Sequence, residues 1–152
     1  MFYRTLAGAA CLVALAGCDS ATPEGTDDAI VSGTYERTYT DDLDGVDVDV
    51  TITLDIPAVT GGAFTLGPGS RIQVETDANS DTESLDGSGT LDDRDIEITI
   101  DELPDVSVDG QGRVSLSFDG DDPTVVTGTV SADGDRLTFT SGGETAVFVR
   151  DE

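Results

Sequence analysis

The chain has 152 residues with 32 Asp or Glu against seven Arg, contains neither Lys nor His, and carries a formal net charge of -25. Residues 19–152 also contain no Cys, Met or Trp. This composition excludes a cysteine or His-assisted nucleophile, a Lys Schiff base and a thiolate or imidazole metal site from that part of the chain. Six arginines against 32 acids also exclude a protein that tracks nucleic-acid phosphates.

The first eighteen residues are typical of an export signal. One Arg precedes an apolar stretch at 5–16. As a helix that stretch would span about 18 Å, too short for a bilayer core of about 30 Å. It ends in Leu15-Ala16-Gly17-Cys18, which resembles the lipobox of bacterial lipoproteins. The resemblance implies cleavage before Cys18 and lipid modification of that residue; an ordinary secretory signal with an incidental cysteine is the alternative.

A lipidated Cys18 would anchor the protein to a membrane without spanning it, since acyl chains contribute about 0.8 kcal/mol per buried CH2. We therefore expect an exported protein on the periplasmic face of the inner or outer membrane. Asp19 resembles the inner-membrane retention signal of enterobacteria, but lineages differ in this rule and the membrane stays open. Residues 19–30 are polar and aperiodic, which predicts a flexible tether. Residues 31–152 are predicted to form a single antiparallel β domain.

Strand periodicity dominates the chain after residue 30. Val and Ile alternate with Asp and Thr through 46–56, the pattern of a strand with one buried and one solvated face. Similar runs predict strands near 31–40, 46–56, 63–66, 70–76, 94–101, 105–109, 113–118, 124–131, 135–141 and 144–150. Residues 77–90 are polar and are predicted to form a long loop, with room for a short strand at its end.

Turn residues separate these strands at short intervals. Asp-Gly pairs occur at 44–45, 86–87, 109–110, 119–120 and 133–134, and Gly-Gly pairs at 61–62 and 142–143. Such pairs tolerate positive φ and favour tight hairpins. Because short turns join the strands from residue 94 onward, those strands are predicted to pair in sequence as an antiparallel meander. The sequence therefore predicts an all-β fold, a small antiparallel up-and-down barrel, with a β-sandwich as the alternative.

The two ends of the β domain are similar to lipocalin-like proteins. Gly33-Thr34-Tyr35 stands where those proteins carry a Gly-x-Trp motif, and the strands at 135–140 and 144–150 look like the closing hairpin of bacterial lipocalin-like lipoproteins. The resemblance implies that Arg150 packs over Tyr35 at the closed end of the barrel as a structural pair. Such a cation–π contact contributes about 0.5 to 2 kcal/mol.

Alternation also indicates which side chains face the interior. The inward candidates are Val48, Val50, Ile52, Leu54, Ile96, Ile98, Val114, Leu116, Phe118, Leu137 and Phe139. Gly89 and Gly128, if they also face inward, would leave room for a ligand. A cavity above about 300 Å3 that opens at one end would favour ligand binding, and a filled core would favour a structural module.

The acidity of the chain has two explanations. We favour adaptation to high salt, where the Debye length falls to about 3 Å at 1 M and self-repulsion is screened. Calcium binding is the competing explanation, because carboxylates cluster at 41–47 and 119–122 and at alternate positions through 77–83. The 77–88 stretch has Thr82 and Ser88 where an EF-hand loop needs Gly and Glu. Solvated turn residues are therefore the favoured interpretation, and Ca2+ stays open as a partner.

These observations favour a non-catalytic protein without a cofactor. Paired carboxylates hydrolyse glycosides in other proteins, but among 32 acids some pair always lies at a suitable distance, so such a pair indicates nothing. The favoured interpretation is a cell-envelope lipoprotein that binds or carries a small apolar ligand in a lipocalin-like barrel. A structural or partner-binding envelope module with a filled core is the alternative. No metal ligand is assigned, and the ligand-binding residues stay unknown at this stage.

Overall fold

The computed structural model describes residues 31–120 and 122–152, and this part of the chain is all-β. Its strands are β1 (Gly33–Leu43), β2 (Val46–Ile56), β3 (Ala63–Thr65), β4 (Arg71–Glu75), β5 (Ser80–Ser84), β6 (Gly87–Asp92), β7 (Asp95–Ile100), β8 (Asp105–Val108), β9 (Val114–Ser117), β10 (Thr124–Val130), β11 (Arg136–Ser141) and β12 (Glu144–Arg150). Ten strands form one antiparallel sheet that curls strongly into a half-barrel, which confirms the predicted fold class. The predicted signal peptide (1–18) and tether (19–30) lie outside the described residues.

The order of the large sheet is β3-β6-β7-β10-β11-β12-β1-β2-β4-β5. Its two edge strands belong to one bent hairpin, because β3 runs into β4 and β5 runs into β6. Hydrogen bonds from Leu66 N to Gly87 O and from Leu85 N to Ser70 O continue the pairing through the bend. The bent hairpin therefore links the two edges of the sheet, which limits the exposure of unpaired edges.

Two details of the predicted topology are wrong. Residues 77–90 hold β5 instead of a long loop, and the short strand expected at their end is the beginning of β6. The meander is also interrupted, because β7 pairs with β10 while β8 and β9 pair only with each other. The sequence did not predict β5 because all of its residues are polar. Its exposed Ser and Thr residues alternate with partly buried carboxylates on the other face. Strand length and turn spacing do not encode which non-adjacent strands pair.

Turn chemistry predicted the hairpins well. Asp44 and Gly45 have φ values of 56° and 84° and connect β1 to β2, while Gly142 and Gly143 at 60° and 88° connect β11 to β12. These are the positive-φ pairs that two-residue hairpin turns require. Gly87 is different, because it begins β6 and not a hairpin. A Cβ there would collide with the carbonyl oxygen of Thr99.

The inner face of the half-barrel is packed with aliphatic and aromatic side chains that form one core. Of the predicted inward residues all but two are buried: Ile52 is partly buried, and Phe118 is 41% exposed because it follows the last residue of β9. Gly89 and Gly128 leave no room for a ligand. The Phe64 ring occupies the space beside Gly89 and the Phe139 ring that beside Gly128. Aromatic rings over strand glycines are a common means of filling such gaps.

Candidate functional site

One end of the half-barrel is closed by Tyr35 and Arg150, which lie opposite each other on β1 and β12. The Tyr35 side chain is fully buried, and the Arg150 guanidinium carbon lies 5.4 Å from the centre of its ring. Arg150 Nη2 donates a 2.9 Å hydrogen bond to the Tyr35 hydroxyl, which in turn lies 2.7 Å from the Gly134 carbonyl oxygen. The predicted contact between Tyr35 and Arg150 is therefore present. Its burial and hydrogen bonds make it a structural pair.

The Tyr35–Arg150 pair is tightly packed by its neighbours. A Cβ at Gly33 would lie 3.1 Å from Arg150 Nε, so the arginine side chain packs directly over the Gly33 backbone. Burial raises the pKa of the Tyr35 hydroxyl above its ordinary value, although the hydrogen bond from Arg150 acts in the opposite direction. A buried, neutral tyrosine whose hydroxyl donates a hydrogen bond to a carbonyl oxygen can stabilise the fold, but it is not suited to transfer protons at neutral pH.

A groove of about 560 Å3 opens on the inner face, beside the seam between β1 and β12. The ladder of these strands contains only the pairs Tyr35↔Arg150 and Glu36↔Val149, although β1 continues to residue 43. Where the ladder stops, side chains of β10, β11, β12 and β1 face open space. The lining residues are Arg37, Val126, Phe139, Ser141, Glu144, Thr145 and Ala146. The groove therefore combines an apolar wall with one cation and one carboxylate.

Arg37 stacks on Tyr39, two residues further along β1. The guanidinium carbon lies 4.6 Å from the centre of the Tyr39 ring, and both side chains are partly buried. Burial raises the pKa of the Tyr39 hydroxyl, and the positive charge of Arg37 partly opposes this. Among the described residues no acceptor hydrogen-bonds the Arg37 guanidinium. The stacking holds the side chain in place while its N–H donors stay available to a ligand.

The other surface grooves differ from this one in chemistry. A groove of about 680 Å3 lies at the ends of β2 and β4, and its lining includes four acids: Asp47, Asp49, Glu75 and Asp77. A groove of about 440 Å3 on the outer face is lined mainly by threonines and acids. Volume alone therefore does not distinguish a binding site. The groove beside Arg37 differs because it combines a core aromatic ring, that of Phe139, with a cation.

The alternating polar residues at 77–83 have a role that the sequence did not reveal. Asn79 donates through Nδ2 to the Val114 carbonyl (2.8 Å) and accepts from the Val114 N–H through Oδ1 (2.7 Å). Asp81 accepts a 2.8 Å hydrogen bond from Leu116 N–H. These side chains therefore dock the β8–β9 hairpin against the main sheet. The alternation that suggested calcium ligands is strand periodicity, which could have identified β5.

No group of three or more Asp, Glu, His or Cys within 31–120 and 122–152 is arranged to hold a metal ion. The carboxylates with a resolved pKa shift lie in turns. Backbone N–H groups of Arg113 and Gln111 lower the pKa of Asp109, and the Ser131 hydroxyl, followed by the Asp135 N–H, lowers that of Asp133. Both carboxylates stabilise the turns that contain them by accepting hydrogen bonds.

Cys18, the predicted lipidation residue, lies outside the described residues. In the described part of the chain no helix has both the length and the apolar character to cross a bilayer. Comparisons with known protein families, curated proteins and solved structures find no match for this chain. The geometry of the groove and the sequence of the N-terminus are therefore the observations from which function can be argued.

Proposed function

We propose that this chain is a lipid-anchored, non-catalytic protein of the cell envelope that binds a small apolar ligand in the groove beside Arg37. The observation that carries the proposal is the apolar wall of that groove. Val126, Phe139 and Ala146 project from three neighbouring strands of the inner face, and the groove that they line opens where the β1–β12 ladder ends at Glu36. Concave, mostly apolar sites with a few polar groups are typical of small-molecule binding.

The anchoring part of the proposal rests on the sequence Leu15-Ala16-Gly17-Cys18 after a short apolar stretch. With lipid on Cys18 and residues 19–30 as a tether, the β domain would stay within about 45 Å of the membrane surface even with the tether extended. The proposal predicts that the native protein begins at Cys18 and carries fatty acids on it. Intact-mass measurement of protein purified from its own membrane tests this, and an unmodified N-terminus would contradict it.

The non-catalytic part rests on the residue types available and on their settings. Residues 19–152 contain no Cys, His or Lys, the side chains that most often act as nucleophile or base near neutral pH. The tyrosines at 35 and 39 have raised pKa values and are engaged with arginines. The groove itself offers one carboxylate, Glu144, and no second carboxylate for paired acid–base chemistry. Binding without turnover fits this set of groups best.

Ligand binding can be tested with a variant that fills the groove. Ala146→Phe places a ring against the apolar wall, whereas Val147→Phe changes the next residue, which is 41% exposed on the opposite face. We expect an environment-sensitive apolar dye to bind the wild type and Val147→Phe saturably, and to lose binding to Ala146→Phe. Mass spectrometry of organic extracts from the native protein should identify the bound molecule. Equal dye binding to all three proteins would contradict the proposal and favour the structural module.

A further inference from the structure

We propose that the groove selects amphiphiles with a carboxylate head group, and that Arg37 is the residue that binds this group. The inference rests on the proposed function and names its ligand class. It starts from an unusual placement: Arg37 lies on the inner face, in line with the buried Leu137, Phe148 and Ile72, and not on the solvated side. Its guanidinium nitrogens are accessible to solvent, because among the described residues the buried side-chain polar atoms without a hydrogen bond are Thr53 Oγ1 and Arg150 Nε.

No acceptor of the described residues hydrogen-bonds the Arg37 guanidinium. The chain holds 32 acids, yet among the described residues Arg37 contacts the Tyr39 ring and hydrogen-bonds none of them. The other arginine of the inner face, Arg150, is engaged with Tyr35. Arg37 is therefore the cation of the groove whose donors remain for a ligand. Because a guanidinium presents paired N–H groups in a fixed plane, a carboxylate is its natural partner.

The carboxylates near the groove indicate how a ligand would be oriented in it. Glu144 lines the outer end of the groove, and Asp41 on β1 is exposed at the same end. Asp41 is four residue steps along β1 from Arg37, a distance of about 14 Å at 3.4 Å per residue. Phe139 and Ala146 lie between the two levels, while the register of β10 with β11 places Val126 beside Ser141, at the level of Glu144. This arrangement repels an anion at the outer end and accommodates an acyl chain of medium length along the apolar wall, with its head at Arg37.

Calorimetric titration of the purified protein with decanoate and with decanol, at one fixed ionic strength, tests the inference. We expect the wild type to bind decanoate about tenfold more tightly than decanol, the effect of one charge-assisted interaction. Arg37→Met should abolish this preference while it leaves the affinity for decanol unchanged. Arg136→Met is the matched control, because Arg136 is exposed on the outer face of β11 and its loss changes the net charge equally.

The outcomes separate the two proposals. If decanol and decanoate bind the wild type equally, the assignment of Arg37 is wrong while apolar binding stands. If Arg136→Met removes the preference as fully as Arg37→Met, the preference reflects net charge and the assignment is again wrong. If neither molecule binds the wild type, both proposals fail together. Thermal unfolding of the Arg37→Met protein, with an unchanged midpoint expected, shows that a lost preference does not come from lost structure.

Discussion

Two tyrosine–arginine contacts on the inner face of β1 have opposite consequences. At the closed end Tyr35 is fully buried, and its hydroxyl is hydrogen-bonded to Arg150 and to the Gly134 carbonyl. Four residues further, Tyr39 is partly buried and Arg37 stacks on its ring without a hydrogen bond to the described residues. The same pair of residue types thus closes the fold in one place and leaves donors available in the other. What differs is the ladder between β1 and β12, which continues at Tyr35 and has ended at Arg37.

The comparison teaches that strand pairing, and not residue type, decides whether a polar side chain is structural. Where β12 pairs with β1, the cross-strand neighbour Arg150 contacts the Tyr35 ring and hydrogen-bonds its hydroxyl, which also lies near the carbonyl oxygens of Gly134 and Val31. Where pairing stops, β12 and β1 separate, and a groove opens beside the apolar side chains of the inner face. A groove with an apolar wall and an accessible cation follows from the end of one ladder.

Replacing each tyrosine by alanine gives the largest expected difference between the two regions. Tyr35→Ala should lower the free energy of unfolding by about 3 to 5 kcal/mol, because it leaves a cavity and removes a hydrogen-bond partner of the partly buried Arg150. Tyr39→Ala should cost less than half of that, since the ring is already partly solvated. Chemical denaturation at one high salt concentration measures both. Equal losses would show that the two contacts do not differ as argued.

A smaller effect is expected where an aromatic ring fills the space over a strand glycine. Gly128→Ala should cost about 1 to 3 kcal/mol, because the new Cβ collides with the Thr138 carbonyl oxygen and approaches the Phe139 ring to 2.7 Å. Gly110→Ala is the control, since a Cβ there meets nothing within 4 Å. Denaturation midpoints of the two variants provide the measurement. If Gly128→Ala is as stable as Gly110→Ala, the inner face is not filled at this point.

The sequence predicted those parts of the fold that depend on local patterns and missed those that depend on distant strand pairing. Alternation and Asp-Gly or Gly-Gly turns predicted the all-β class, the β1–β2 and β11–β12 hairpins and most inward side chains, because these properties are local. The pairing of β7 with β10 and the early end of the β1–β12 ladder depend on distant segments and have no local signal. The Arg37 groove was missed for that reason. Its one signal was an arginine at an inward position of a strand.

The loss of stability at alkaline pH should depend more on Tyr35 than on Tyr39. The pKa of Tyr35 is raised in the folded state, so the neutral hydroxyl stabilises the fold fully below its unfolded pKa of about 10, and this contribution is lost as pH rises through the folded value. Residues 19–152 contain no His, Cys or Lys, so stability should be nearly constant between about pH 6 and 9. Denaturation midpoints measured across this range and above it test both statements. Tyr35→Phe should weaken the alkaline loss more than Tyr39→Phe, and the reverse order would contradict the comparison.

The smallest effect concerns the acidic groove at the ends of β2 and β4, which contrasts with the groove at Arg37. Asp49 and Glu75 are directly opposed across the ladder, and like charges in such pairs cost about 0.2 to 1 kcal/mol. Asp49→Asn should therefore raise the unfolding midpoint at about 0.05 M NaCl and have little effect at about 2 M, where screening is strong. Asparagine can still accept the hydrogen bond that Thr40 donates to Asp49. Glu97→Gln is the matched control, because its cross-strand partners are Thr90 and Thr127.

If both variants raise the unfolding midpoint equally at low salt, the effect is one of net charge. If the wild type melts at the same temperature in both salts, the high-salt explanation of the acidity is wrong.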